Sequence, residues 1–257
     1  MRRLGDILAP LVLVAVLLAI WEAACRLMEV PVYRLPPPSA VAMALAGNWA
    51  LLLESAWNTL RMALWGLLFA SVSAMAVALV ASLHLLLEKA VRPIAIALQV
   101  TPVVAIAPLV SIWTGLDHPE RAVVGLSAVV AFFPILSGAL AGFKAADPDL
   151  RRLFRLYGAG RVQTLMRLEL PSAAPFLAEG HKVAAGLAVV GAVVAELAAG
   201  SGGSQGLAWR ILESANRLRT AETFAALVVL TLLGLLVYAA MTLVERRVVG
   251  RWRAPVR

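Results

Sequence analysis

Charge is the first thing this sequence lacks. Only 15% of its 257 residues are Asp, Glu, Lys or Arg, against about a quarter in an ordinary soluble domain. The single cysteine, Cys25, excludes an intrachain disulfide and any paired-thiol metal site. The three histidines, His84, His118 and His181, stand far apart without His-Glu-x-x-His spacing, so no metal site is expected. The glycine-rich stretch from Gly200 to Gly206 lacks the Gly-Lys-Ser/Thr ending of a phosphate-binding loop. It is expected to be a flexible connection, and no catalytic residue is expected anywhere in the chain.

What is present is apolar length. Apolar residues make up 61% of the chain, and a bilayer core about 30 Å thick needs roughly 20 of them per helix. The sequence predicts an all-α integral membrane protein with about six spans: Ile7 to Cys25, Met62 to Leu87, Pro93 to Leu116, Ala122 to Phe143, Val183 to Gly200, and Thr223 to Val244. No internal repeat or low-complexity linker divides it, so one transmembrane domain, 1–257, is expected. Arg2 and Arg3 before the first apolar run resemble the start of a secretory signal. The run is longer than a usual signal core, and Glu22 spoils a lipoprotein-type site before Cys25, so a retained signal anchor is expected.

The net charge of +8 lies in the connections between apolar runs rather than on one face, so nucleic acid is not an expected partner. The excess reads as topology. Lys89 and Arg92, the segment from Lys144 to Lys182, and the arginines from Arg246 to Arg257 fall on the same side as Arg2 and Arg3. The opposite set, including Arg26, Arg34, Arg61 and Arg121, is poorer. Both termini are therefore expected in the cytoplasm of a multi-pass membrane protein.

Several features have two readings. After Leu35-Pro36-Pro37-Pro38, Ser39 is a candidate N-cap for a surface helix from Ala40 to about Leu53, whose Trp49 and Trp57 suit an interface. It is either a spacer or a binding element. Pro93, Pro102 and Pro108 should kink the third span and Pro134 the fourth; kinked spans either flank a pathway or simply pack. Ala184, Ala185, Gly186, Ala188, Gly191, Ala192 and Ala195 form a small-residue surface, for close packing or for a dimer or gate seam. Glu196 interrupts the fifth span. A carboxylate at that depth either lines a pathway or snorkels to the surface.

The segment from Lys144 to Lys182 is the most patterned connection. Asp147-Pro148 should start a helix, with Asp147 as N-cap. Leu150, Leu153, Phe154 and Tyr157 then share a face opposite Arg151, Arg152 and Arg155. Gly158-Ala159-Gly160 breaks the helix, and a second amphipathic turn through Val162, Leu165, Met166 and Leu170 is expected to stop at Pro171.

Helix, glycine break, helix and Leu-Pro together resemble the cytoplasmic signature of binding-protein-dependent ABC importer permeases. That signature runs Glu-Ala-Ala, three residues, Gly, nine residues, Ile-x-Leu-Pro. Gly158 stands at the glycine and Leu168-Glu169-Leu170-Pro171 at the end, while Arg152-Leu153-Phe154 replaces Glu-Ala-Ala. Ile20-Trp21-Glu22, the Leu35 to Ser39 run, Pro108-Leu109 with Trp113-Thr114-Gly115, Phe132-Phe133-Pro134-Ile135 and Val194-Ala195-Glu196 are similar to the nitrate, sulfonate, taurine and bicarbonate group.

The resemblance implies a type I importer permease in a bacterial-type inner membrane. It implies a permease dimer with a second copy, an external substrate-binding protein, and a separate ABC ATPase that holds ATP and Mg, with no cofactor in this chain. It places ATPase coupling within 144–182, on Arg151, Arg152, Leu153, Phe154, Arg155, Gly158, Leu168, Leu170 and Pro171. Glu196, Pro102 and Pro108 are the candidates for a pathway taking a small anion or organic precursor. A secondary transporter or a membrane scaffold is the alternative; the first predicts an inverted repeat, which the sequence lacks, and the second leaves the signature unexplained.

Overall fold

A backbone in hydrocarbon has no water to bond, so each apolar run must satisfy its own N–H and C=O groups as helix. The computed structural model describes residues 2–115, 118–199 and 205–249, and among these there is helix and no strand. The helices are α1 (Arg2–Leu27), α2 (Pro38–Gly47), α3 (Trp49–Leu83), α4 (Leu85–Val100), α5 (Val103–Thr114), α6 (Pro119–Lys144), α7 (Pro148–Leu156), α8 (Arg161–Thr164), α9 (Leu170–Ser172), α10 (Ala174–Ala199), α11 (Leu207–Asn216) and α12 (Thr220–Val249). A π-helical turn, Leu165–Glu169, joins α8 to α9. Among the described residues α1, α3, α6, α10 and α12 are each long and apolar enough to cross a membrane.

The third expected span is not one helix. Thr101 and Pro102 are both extended, with ψ of 126° and 109°, so the run splits into α4 and α5. Proline crowds the residue before it out of the helical region, and Thr101 complies. Pro102 thus stands as the N-cap of α5 rather than as a kink, whereas Pro93, Pro108 and Pro134 lie inside α4, α5 and α6. The expected ends of this span at Leu116 and of the fifth at Gly200 lie outside the described residues, as do the glycine-rich stretch through Ser204 and the arginines beyond Gly250.

Contacts divide the chain into two compact units, Met1–Trp57 with Gln205–Thr231, and Asn58–Ser204 with Leu232–Arg257. In the first unit the start of α2 departs from expectation. Pro37 is the N-cap, and Ser39 lies inside the first turn. Its N–H donates to Glu22 Oε2 (3.0 Å) and its hydroxyl to Glu22 Oε1 (2.8 Å). A carboxylate from α1 therefore caps one free N–H of α2, where its negative charge also suits the helix dipole. The surface helix stops at Gly47, earlier than expected, and Trp49 opens α3. The Trp21 and Phe224 rings meet in a tilted contact with centroids 5.7 Å apart, and Thr220 Oγ1 donates to Tyr33 O (2.7 Å).

The second unit is organised on α6 and α10. Ala131, Ile135 and Ala139 of α6 and Ala184, Ala188, Ala192 and Ala195 of α10 are almost fully buried. The backbones come so close that a Cβ added at Gly138 would lie 2.8 Å from Phe176 O, and one at Gly180 2.8 Å from Pro134 O. Ser127 Oγ donates to Ala188 O across the seam (2.8 Å). The small-residue surface read from the sequence is thus a packing surface within the chain, as close approach in lipid requires. α10 starts at Ala174, nine residues before the expected span, because its charges are paired: Lys182 Nζ meets Glu179 (2.5 Å) and Glu245 (3.0 Å).

Candidate functional site

The connection from α6 to α10 is built from helix-end chemistry. Asp147 Oδ1 accepts the N–H of Asp149 (2.7 Å), and Pro148 fills the first helical position of α7. At the other end Gly158 has φ +71°, a left-handed conformation that costs glycine little. The Gly158 N–H donates to Arg155 O (3.0 Å) and the Ala159 N–H to Phe154 O (2.9 Å). This pair of bonds closes the carbonyl end of α7 and turns the chain sharply toward α8.

The second helix does not stop at Pro171. One extra residue is accommodated in the turn Leu165–Glu169, where the Leu170 N–H reaches Leu165 O, and the helix runs on through Pro171 into α9. Proline has no N–H and its ring crowds the carbonyl four residues back, so a locally wider turn removes both conflicts. Leu165 and Leu168 are buried beneath this turn, and Leu170 and Pro171 are half-buried.

Glu169 is the residue that pattern reading missed. Only 3% of its side chain is exposed, yet it joins two arginines: Arg161 Nη1 at 2.7 Å and Arg151 Nη2 at 3.5 Å. Each guanidinium also bonds the carbonyl end of a long helix. Arg161 donates to Ser82 O near the end of α3 (Nε, 3.0 Å), and Arg151 donates to Phe143 O near the end of α6. Cations are favoured at helix C-termini, where carbonyls lack partners. Beside this bracket Glu88, in the first turn of α4, holds Lys144 in the last turn of α6 at 2.6 Å. A glutamate between Leu168 and Leu170 in an amphipathic turn was the available signal.

The bracket changes the reading of the basic face. Arg151 is turned inward and serves as internal structure, while Arg152 is 71% exposed and among the described residues pairs with Asp149 alone, and Arg155 is exposed. Among the described residues the apolar face of α7 is only partly covered, at Phe154. Leu150 and Leu153 are 44% exposed, Leu156 84% and Tyr157 82%, with Phe154 between. An amphipathic helix held rigidly at both ends, with its apolar stripe outward, has the form of an anchor for a groove on another protein.

The pathway candidates lie on two helices, α10 and α5 with its N-cap. Glu196 of α10 is 1% exposed and accepts a hydrogen bond from Thr59 Oγ1 of α3 (2.8 Å), so it neither snorkels nor stands in open solvent. Pro102 marks the α4–α5 break and Pro108 lies within α5. No group of three or more His, Cys, Asp or Glu suited to a metal occurs among the described residues.

Comparison with known proteins gives these features a context. Residues 66–250 match the family model described as binding-protein-dependent transport system inner membrane component. The riboflavin transport system permease protein RibX of Chloroflexus aurantiacus is 34% identical over 242 residues, 93% of this chain and 87% of its own. The formylaminopyrimidine transport permease protein ThiX of Halalkalibacterium halodurans is 30% identical over 254 residues, 98% of this chain and 99% of its own. The taurine transport system permease protein TauC of Escherichia coli is 27% identical over 240 residues, 91% and 86% of the two chains. With five long apolar helices, a glycine-broken connection at the signature position and a match over most of its length, the chain belongs to the inner-membrane permease family of binding-protein-dependent ABC importers.

Proposed function

We propose that this permease carries a small solute, delivered by an external binding protein, across the membrane while a separate ATPase hydrolyses ATP. The observation that carries the coupling half of this reading is the bracketed α7: an uncovered apolar face fixed through Arg151, Glu169 and Arg161 to the ends of α6 and α3. In this reading Leu153, Phe154, Arg152 and Arg155 meet the ATPase, Gly158 sets the angle of α7, and Leu168, Leu170 and Pro171 shape the platform beneath it. Arg151 transmits force and does not touch the partner. Closure of an ATPase pair on ATP would then move α7 and, with it, α3 and α6.

The functional unit in this reading holds two permease copies and two ATPase subunits. Both termini and the α6–α10 connection face the cytoplasm, on the side richer in Lys and Arg. Glu196, held by Thr59, closes the outer part of the path, and the broken run at Pro102 with α5 and its Pro108 borders it. For cargo, relatives named for riboflavin and formylaminopyrimidine favour a small organic solute. The relative named for taurine favours a sulfonate-like anion as the second reading.

Co-expression with a candidate ATPase and binding protein from the same genome tests the proposal. The ATPase should co-purify with this chain, and proteoliposomes holding all components should take up solute only with ATP, while the chain alone hydrolyses none. Uptake driven by an ion gradient without ATPase would overturn the reading. Reporters placed after Arg257 and within the Gly202 connection should report opposite sides of the membrane.

A further inference from the structure

The second unit contains a cavity of about 380 Å³ between α3, α4 and α6, lined by Phe69, Phe132, Phe133, Ser73 and Gln99 with two small apolar neighbours. Its depth follows from helix geometry. Counting from the helix ends at Leu83, Leu85 and Lys144, a rise of 1.5 Å per residue places Ser73 about 15 Å, Phe132 about 18 Å, and Phe69 and Gln99 about 21 Å along their helices. In a hydrocarbon core about 30 Å thick these residues lie near the middle.

One lining side chain marks the cavity as more than a gap in packing, and a backbone break lies next to it in sequence. Gln99 carries a full amide at this depth, and among the described residues nothing bonds that amide. A lipid-facing amide with no partner is unfavourable, because hydrocarbon offers neither donor nor acceptor. Two residues further on, the backbone breaks at Thr101 and Pro102, and Thr101 Oγ1 turns back to Ala97 O (2.8 Å). Non-helical backbone at membrane depth is tolerated where it is buried in protein or lines a cavity. The break and the free amide fall on the same stretch of chain, beside three aromatic rings.

The lining also selects. None of the residues around the cavity carries a charge, so a sulfonate or nitrate would lose its hydration without gaining a counter-charge. Phenylalanine faces take a planar ring by stacking. A primary amide presents one acceptor and two donors, and it pairs side by side with a ring edge that carries a donor next to an acceptor. Ser73 Oγ spends its proton on Phe69 O (2.7 Å) and keeps acceptor capacity.

We propose that this cavity is a solute site on the translocation path and that it takes a neutral planar heteroaromatic compound bearing adjacent donor and acceptor groups, such as an aminopyrimidine. The proposal rests on the importer reading above and narrows its cargo. Gln99 reads the ring edge, Phe69, Phe132 and Phe133 hold its faces, and Ser73 with Gln99 gives the cavity its polar wall.

The test uses the full-length chain in lipid nanodiscs, with cytosine, toluene and methanesulfonate as probes and ligand-observed saturation-transfer NMR as readout. Cytosine and toluene should bind and methanesulfonate should not. Gln99→Leu, which keeps the volume and the helix, should weaken cytosine about tenfold and leave toluene unchanged, because the ring edge loses its partner. Phe132→Ala should weaken both about tenfold. Binding of methanesulfonate in preference to cytosine, or cytosine binding indifferent to Gln99→Leu, would overturn the assignment. So would absence of cytosine binding in the folded chain together with efficient Gln99→Cys disulfide formation between two copies, which would show the cavity filled by a second permease. Parallel uptake assays on the reconstituted complex separate the two levels. ATP-driven uptake of an anion without cytosine binding removes this site and leaves the importer; cytosine binding without ATP-driven uptake of any solute does the reverse.

Discussion

The α6–α10 seam and the connection that joins those same two helices are built on opposite plans. In the seam, glycines and alanines bring backbones together until a single added Cβ would collide with a carbonyl. In the connection, α7 keeps its leucines exposed, and the chain spends its polar groups on fixing where that helix points. The seam resists relative motion of α6 and α10. In the proposed reading the connection passes motion on, because its bracket ends on α3 and α6 rather than within itself. Rigidity in one region and an uncovered but fixed surface in the other are what a lever needs.

Breaking the bracket should have the largest effect. Glu169→Ala leaves Arg151 and Arg161 without their shared carboxylate; removal of one partner from a buried ion pair costs about 3–5 kcal/mol, and the lower end applies here because the two arginines are 32% and 43% exposed. The melting temperature in detergent should fall clearly, with Glu169→Gln falling less. Gly138→Leu comes next, since overfilling a tight interface costs about 1–3 kcal/mol; folded yield should drop while any protein that folds still binds its ATPase. Gly158→Val ranks third. A Cβ there meets nothing within 4 Å, so only the left-handed backbone is penalised, by about 1–2 kcal/mol. The chain should insert normally but lose ATP-driven uptake. Leu156→Ser is smallest for stability, within about 0.5 kcal/mol for an exposed position, and should still reduce ATPase co-purification. If Leu156→Ser destabilised the isolated chain as much as Gly138→Leu, the contrast between the two regions would collapse.

Much of this was legible in the sequence because it rests on local rules. Apolar length marks the spans, Asp147-Pro148 marks a helix start, and a glycine such as Gly158 marks a left-handed exit. What was not legible depends on partners distant in sequence. Ser39 looked like a cap because its residue type favours that role; the actual cap is the Glu22 carboxylate, brought in by the packing of α1. Arg151 looked like part of a basic docking face, but the carbonyl end of α6 and Glu169 claim it. Pro102 looked like a kink in a continuous helix, yet the extended backbone it imposes on Thr101 ends α4 outright. Charges near Lys182 hid the first turns of α10, because their pairing with Glu179 and Glu245 does not show in a hydropathy profile.

The central claim is that the exposed face of α7 is where the ATPase holds this permease. In a Cys25→Ser background, single cysteines at Leu156, which is 84% exposed, and at Leu168, which is 7% exposed, should be paired with cysteines around the expected groove of the ATPase in the assembled complex. The account predicts disulfide formation from position 156, none from position 168, and loss of ATP-driven uptake on crosslinking that reduction restores. An intact, active complex in which no position from 150 to 157 reaches the ATPase would contradict it.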